Sequence, residues 1–140
     1  MLEKTFTMCF GCGKDNPIGL KLAFRQEGET IVAEFTPGPH FQGWNGVLHG
    51  GIVSTLLDEV MANQVWLMGV QAMTAELNIR YHRPVPIGEK LRIVSRLVAR
   101  KKRIFELEGR IENQGQLLAE GHAKMLEVPG EAKGKEPRER

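Results

Sequence analysis

The chain has 140 residues, 41% of them hydrophobic, which suits one domain with an ordinary core. Nineteen Lys and Arg stand against seventeen Asp and Glu, a net charge of +2, and that balance calls for neither nucleic acid nor an anionic membrane as partner. No apolar run reaches the length of a membrane span and residues 1–5 lack the features of a secretory leader, so cytoplasmic residence is the expectation.

The first feature is Cys9-Phe-Gly-Cys12-Gly, which holds the two cysteines of the chain. A C-x-x-C pair serves as half a zinc site, a redox pair or a turn. Zinc ordinarily takes four ligands and there is no second pair. No strand precedes the motif, as a thioredoxin-like unit requires. The pair reads as structural, with no metal and no cofactor expected.

Residues 14–20 are dense in turn formers. Leu20, Leu22 and Phe24 then alternate with Lys21, Ala23 and Arg25, the period-2 signature of a strand with one buried face. Residues 26–30 read as a hairpin turn, 31–35 as its partner strand, and Pro37-Gly-Pro39 as the stop. Phe41 and Trp44 belong to the loop that follows and are expected near the cleft.

From Ile52 onward the apolar residues Ile52, Val53, Leu56, Leu57, Val60, Met61, Leu67 and Met68 follow the 3.6-residue period. The spacing predicts a helix from about Gly50 to Met68, roughly 28 Å long, closed by Gly69. Asp58 falls opposite the stripe on a face shared with Gly51, Ser54, Thr55, Ala62 and Val65. That face is small and nearly uncharged, so close approach by another surface is expected there. Gly50 and Gly51 open the helix, where backbone N–H groups lack intrahelical acceptors. They read either as donors for an anion or a polarised carbonyl oxygen, or as the residues a tight loop-to-helix turn demands.

Four strands follow, near 74–82, 89–99, 103–112 and 116–128. In the first, Ala75, Leu77, Ile79 and Tyr81 oppose Thr74, Glu76, Asn78 and Arg80. In the last, Leu117, Ala119, Gly121, Ala123 and Met125 share a face. Short connections predict a meander in which successive strands pair, curved around the one helix. Arg100, Lys101, Lys102 and Arg103 form a basic turn, either solvated or reaching a phosphorylated ligand. Arg80, His82 and Arg83 make a second basic patch. Residues 129–140 have almost no apolar content and are expected to be a mobile tail, leaving 1–128 as the domain.

Three motifs in this order resemble the hotdog acyl-CoA thioesterases of the phenylacetyl-CoA thioesterase-like group. They are the Cys9 to Leu20 opening, Gly46-Val-Leu-His-Gly-Gly-Ile-Val-Ser-Thr-Leu-Leu-Asp58-Glu, and Thr74-Ala-Glu-Leu-Asn-Ile-Arg-Tyr-His-Arg-Pro84. The resemblance spans residues 9 to about 127. It implies an α+β hotdog fold, one long helix wrapped by an antiparallel sheet of five to six strands. It also implies hydrolysis of a small, medium-chain or aromatic acyl-CoA to free acid and CoA. By that likeness the Gly50 N–H polarises the thioester carbonyl, Asp58 activates water or attacks directly, Thr74 places the water or carboxylate, and His49 holds the loop. Asn45 matches a loop asparagine of relatives, displaced toward the histidine. Gly51 and the basic turn Arg100 to Arg103 are further candidate substrate contacts, and Glu59 is the second-choice carboxylate.

The implied assembly is a homodimer, pairing further into a tetramer, with Gly50 of one chain facing Asp58 of the other. The competing reading is a hotdog protein that binds acyl-CoA without turnover, as sensor or scaffold. A hotdog dehydratase fits less well, because His-Gly-Gly with an aspartate nine residues beyond the histidine is not that group's arrangement.

Overall fold

The computed structural model describes residues 7–128, so the tail expected at 129–140 lies outside the described residues. The apolar period after Gly50 forms the helix it predicts, α1, Gly50–Trp66. Val53, Leu56, Leu57, Val60 and Met61 are its buried stripe. Its end falls just short of the expected Met68, which is exposed. Gly69, at φ +85, carries the chain out, its N–H donating to Trp66 O. Val65 departs from the small face assigned opposite the stripe: it is buried in the core, because the sheet and first hairpin enclose a wider arc of α1 near its C-terminus. There the Gln64 amide donates to Glu29 O and accepts from Ser95 Oγ.

The strands are β1 (Arg25–Glu27), β2 (Thr30–Phe35), β3 (Ala72–Tyr81), β4 (Leu91–Lys101), β5 (Ile104–Asn113) and β6 (Gln116–Glu127). They form one antiparallel sheet in the order β1-β2-β4-β5-β6-β3. α1 packs against β2, β3, β4, β5 and β6, which is the helix within a curved sheet that the sequence implies.

The meander holds only for β4-β5-β6. β3 pairs with β6 at the far edge, and β4 pairs with β2 through Val32↔Val94 and Ala33↔Ile93. The physical reason lies in the connections. α1 intervenes between β2 and β3, and the proline-broken segment 82–90 between β3 and β4, and both are long enough to cross the sheet.

A second correction concerns residues 20–25. Leu20 and Leu22 are buried as their alternation implies, yet they lie outside the sheet. Lys21 sits at φ 56, which breaks the extended run. The Leu20 and Leu22 N–H groups donate to Phe10 O and Gly11 O of the cysteine loop. The turns themselves follow their sequences. Gly28 (φ +62) opens the β1–β2 turn, and Gln114 with Gly115 both take positive φ between β5 and β6.

The helix meets the sheet tightly at two glycines. Gly109 of β5 and Gly121 of β6 are register partners on the inner face. A Cβ at Gly109 would stand 3.2 Å from Leu57 Cδ2 and 3.3 Å from Met61 Cγ, and one at Gly121 would stand 3.4 Å from Met61 Cε. This pair is a bare strip on which two of the largest buried helix side chains rest. Gly109→Val is expected to destabilise the fold by about 1–3 kcal/mol through overpacking, read from the urea midpoint.

Charge is concentrated outside, across β1, β2 and β4. Glu27 accepts from Arg92 (2.9 Å) and Arg25 (2.8 Å), and these guanidinium groups, Arg92 first, hold its carboxyl below the ordinary carboxylate value. A depressed folded-state value contributes stability that is present above the unfolded carboxylate range and is lost as pH falls through the folded value. Glu27→Gln is therefore expected to lower the urea midpoint at neutral pH and to converge with the parent protein as pH falls below about 4.

Candidate active site

The loop before α1 is fixed from several sides. Leu48 N–H donates to Val85 O (2.8 Å), His49 N–H to Phe41 O (2.9 Å) and Ile87 N–H to Gly46 O (3.0 Å). His49 is the N-cap residue, with its Nδ1 accepting from the Gly51 N–H at 2.9 Å. A ring that accepts at Nδ1 carries its proton on Nε2, so the cap fixes both tautomer and orientation. Tyr81, at the end of β3, donates its hydroxyl to Gly50 O (2.9 Å) and lies 2.8 Å from Ser54 Oγ.

These contacts leave one donor over. Gly51 N–H is taken by the histidine, whereas no described residue accepts from the Gly50 N–H. It stands at the positive end of α1. A cavity of about 720 Å³ opens there, lined by Trp44, His49, Gly50, Tyr81, His82 and Arg83 among others. Its described lining contains no carboxylate.

Asp58 lies elsewhere. Eight residues on from Gly50 it is about 12 Å along the helix axis, half-buried, and its Oδ1 accepts from Thr74 Oγ1 at 2.7 Å. Strict alternation had placed Thr74 on the outward face with Glu76 and Asn78. A bulge between Thr74 and Glu76 shifts the register, so Ala75 is exposed while Thr74 turns inward with Leu77 and Ile79. Bulges re-aim side chains in this way.

The other expected contacts divide. Asn45 is exposed and does not line the cavity. Gly51 lines nothing there either, its N–H being engaged. Arg100 stacks on Phe105 (4.5 Å to the ring centre) and pairs loosely with Glu127 (3.9 Å), while Lys101, Lys102 and Arg103 are exposed at the β4–β5 turn. Through Ile104↔Leu126 and Met73↔Leu126 that turn lies where β3 begins. The cavity lies where β3 ends, about 23 Å away at 3.3 Å per residue. Within one chain the basic turn and the cavity are therefore apart.

The second patch supplies the cavity's basic groups, His82 and Arg83. His82 Nε2 meets Glu120 at 2.7 Å, and that hydrogen bond holds the Glu120 carboxyl below its ordinary value. Of the aromatics, Trp44 lines the cavity and is 86% exposed, whereas Phe41 packs into the core against Phe35. Met61, of the helix's apolar stripe, is fully buried. Tyr81 and Ser54 were not singled out by sequence as site residues; the lone tyrosine of the chain, placed where a strand meets a proline break, was the available signal.

Residues 45–120 match the family described as the Thioesterase superfamily. "Acyl-coenzyme A thioesterase 13" of Mus musculus is 33% identical over 103 residues, covering 70% of this chain and 74% of that protein. "Acyl-coenzyme A thioesterase THEM4" of Bos taurus is 41% identical over 90 residues, 63% of this chain and 37% of that protein. The chain spans 26%, 26% and 37% of the first three curated relatives it matches. The crystal structure of thioesterase superfamily protein RHA08564 superposes with a TM-score of 0.79 at 27% identity, over 83% of this chain and 61% of that one. Family match, relatives and superposition agree with the helix-in-sheet architecture: the chain belongs to the thioesterase superfamily and has the hotdog fold.

Proposed function

We propose that this protein is an acyl-CoA thioesterase working as a homodimer, each site combining Gly50 of one chain with Asp58 of the other. The observation that carries this reading is the Gly50 N–H, left without a described acceptor beside a cavity whose described lining has no carboxylate. The acid the chain does offer is about 12 Å along the same helix, too far for one thioester carbon to meet both groups. A second copy, packed across the small face of Ser54, Thr55 and Asp58, brings the missing half. The relatives named as acyl-coenzyme A thioesterases support the reaction class.

The chemistry follows from the parts. The thioester oxygen accepts from Gly50 N–H, and negative charge developing there is stabilised by roughly 3–4 kcal/mol by such a donor. The partner's Asp58, oriented by Thr74, takes a proton from water as its oxygen bonds to the acyl carbon. The tetrahedral intermediate collapses, the carbon–sulfur bond breaks, and the proton passes to the departing CoA sulfur. In the alternative route Asp58 itself bonds to the carbon, CoA leaves, and water opens the resulting anhydride. A single turnover in ¹⁸O-water separates them, since only the anhydride route can label the Asp58 carboxylate.

Asp58→Asn is expected to lower kcat by at least about 10²-fold in a thiol-trapping assay over a panel of small, medium-chain and aromatic acyl-CoA esters. Thr74→Ala loses a hydrogen bond to a charged group and is expected to cost about tenfold or more. Full activity in Asp58→Asn would remove that carboxylate from the reaction. Saturable binding of the esters by the parent protein without thiol release would favour the non-catalytic reading.

Gly50→Pro tests the donor cleanly. Gly50 is the first helical residue, where proline is favoured, and His49 already has φ −57 and ψ 136, a conformation suited to precede proline. Loss of this one N–H is expected to reduce kcat by about 10²–10³-fold with the fold intact by circular dichroism. Co-refolding equal amounts of the Gly50→Pro and Asp58→Asn chains is then expected to restore about a quarter of parental activity, since about half of the dimers are mixed and each mixed C2 dimer keeps one intact site of two. No recovery from a demonstrably mixed dimer would overturn the shared site.

A further inference from the structure

Glu59, adjacent to Asp58 in sequence, is about 100° further round the helix and faces a different group: the cysteine loop. Cys9 Sγ, Cys12 Sγ and a Glu59 carboxylate oxygen all lie within 4.8 Å of one another, and all three residues are half-buried. Cys9 Sγ is 3.9 Å from each Glu59 oxygen. A tetrahedral zinc with sulfur at about 2.3 Å and oxygen at about 2.0 Å has sulfur–oxygen edges of about 3.5 Å and a sulfur–sulfur edge of about 3.8 Å. Small side-chain rotations reach that geometry.

The loop backbone holds this arrangement independently of the sulfurs. Gly13 N–H donates to Cys9 O at 2.8 Å, closing the turn between the cysteines. A Cβ on Gly11 would collide with the Glu59 carboxyl carbon, so the chain wraps directly against that carboxylate. The Leu20 and Leu22 N–H groups tie the other side of the loop to buried leucines. Beside the cluster is a cavity of about 160 Å³, lined by Cys9, Cys12, Glu59, Asn63 and Trp66 among others. The donor set is two soft sulfurs and one carboxylate. Calcium and magnesium favour all-oxygen sites and copper(I) favours sulfur alone, whereas zinc accepts both.

We propose that Cys9, Cys12 and Glu59 bind one zinc ion, with its fourth position open to the small cavity for water or an added ligand. Zinc displaces the two thiol protons, and its two positive charges offset all but one of the three negative charges gathered there. It fastens the loop at 9–22 to α1 one residue away from Asp58. The C-x-x-C motif lacked a second pair in the sequence because its third ligand comes from a helix fifty residues further on.

The test uses the full chain, reduced and stripped with a chelator, titrated with cobalt(II) and then zinc. One cobalt per chain is expected, with the thiolate charge-transfer bands and intense visible bands of a tetrahedral site, displaced by stoichiometric zinc. Glu59→Gln, which keeps both thiols and the shape of the side chain, is expected to weaken zinc binding by about tenfold or more. Cys9→Ser is expected to lose most of the charge-transfer intensity. Absence of those bands in the reduced parent protein would overturn the proposal. So would zinc affinity unchanged in Glu59→Gln, or a Cys9–Cys12 disulfide as the state isolated in the presence of zinc. Thioester hydrolysis plays no part in these readouts, so they stand or fall apart from the reading above.

Discussion

The seating of α1 on the Gly109–Gly121 strip governs the other arrangements in the molecule. Leu57 and Met61 rest where two adjacent strands present no side chain, and this fixes the rotation of the helix about its own axis. With that rotation set, Asp58 turns to β3 and Thr74, and Glu59 turns to the cysteine loop. A different angle would redirect both acids at once. Close packing transmits such constraints because interiors have few voids to absorb them.

At the helix start, the same segment is specified by hydrogen bonds. Gly46, at φ +79, receives support from Gln42 Oε1, and the loop is stitched to Val85 and Ile87. His49 then consumes one of two neighbouring amide protons and leaves the other. Tyr81 holds Gly50 by its carbonyl, on the opposite side of the peptide from that second proton's neighbour. The histidine thus caps the helix, a contact that requires no proton transfer from it.

Much of this was legible in the chain. The helix could be read because its apolar stripe is wide and regular, and β4, β5 and β6 because their alternation is long and their turns carry Gln114-Gly115 and Lys102-Arg103. Strand order was not legible, since periodicity reports which face is buried and says nothing about which edge a strand joins. Leu20 and Leu22 alternate like a strand because burial alone sets their pattern, while Lys21 at φ 56 is invisible to it. The pairing of Asp58 with Thr74 came from family resemblance; alternation by itself assigned Thr74 to the wrong side. Glu59 was read only as a substitute for Asp58, because the loop that it meets is remote in sequence.

The irregularity in β3 makes the position of Thr74 sensitive to the length of the strand. Beyond Glu76 the strand keeps its ladder with β6 through Leu77↔Ala123 and Ile79↔Gly121, while Ala72 to Thr74 pair one step out of phase. Both parts of the strand thus stay in the sheet, with Ala75 as the extra residue that offsets one from the other. Exchanging side chains in this stretch alters chemistry locally, but gaining or losing a single residue would rotate the hydroxyl through half a turn. Length, more than composition, decides where that hydroxyl points.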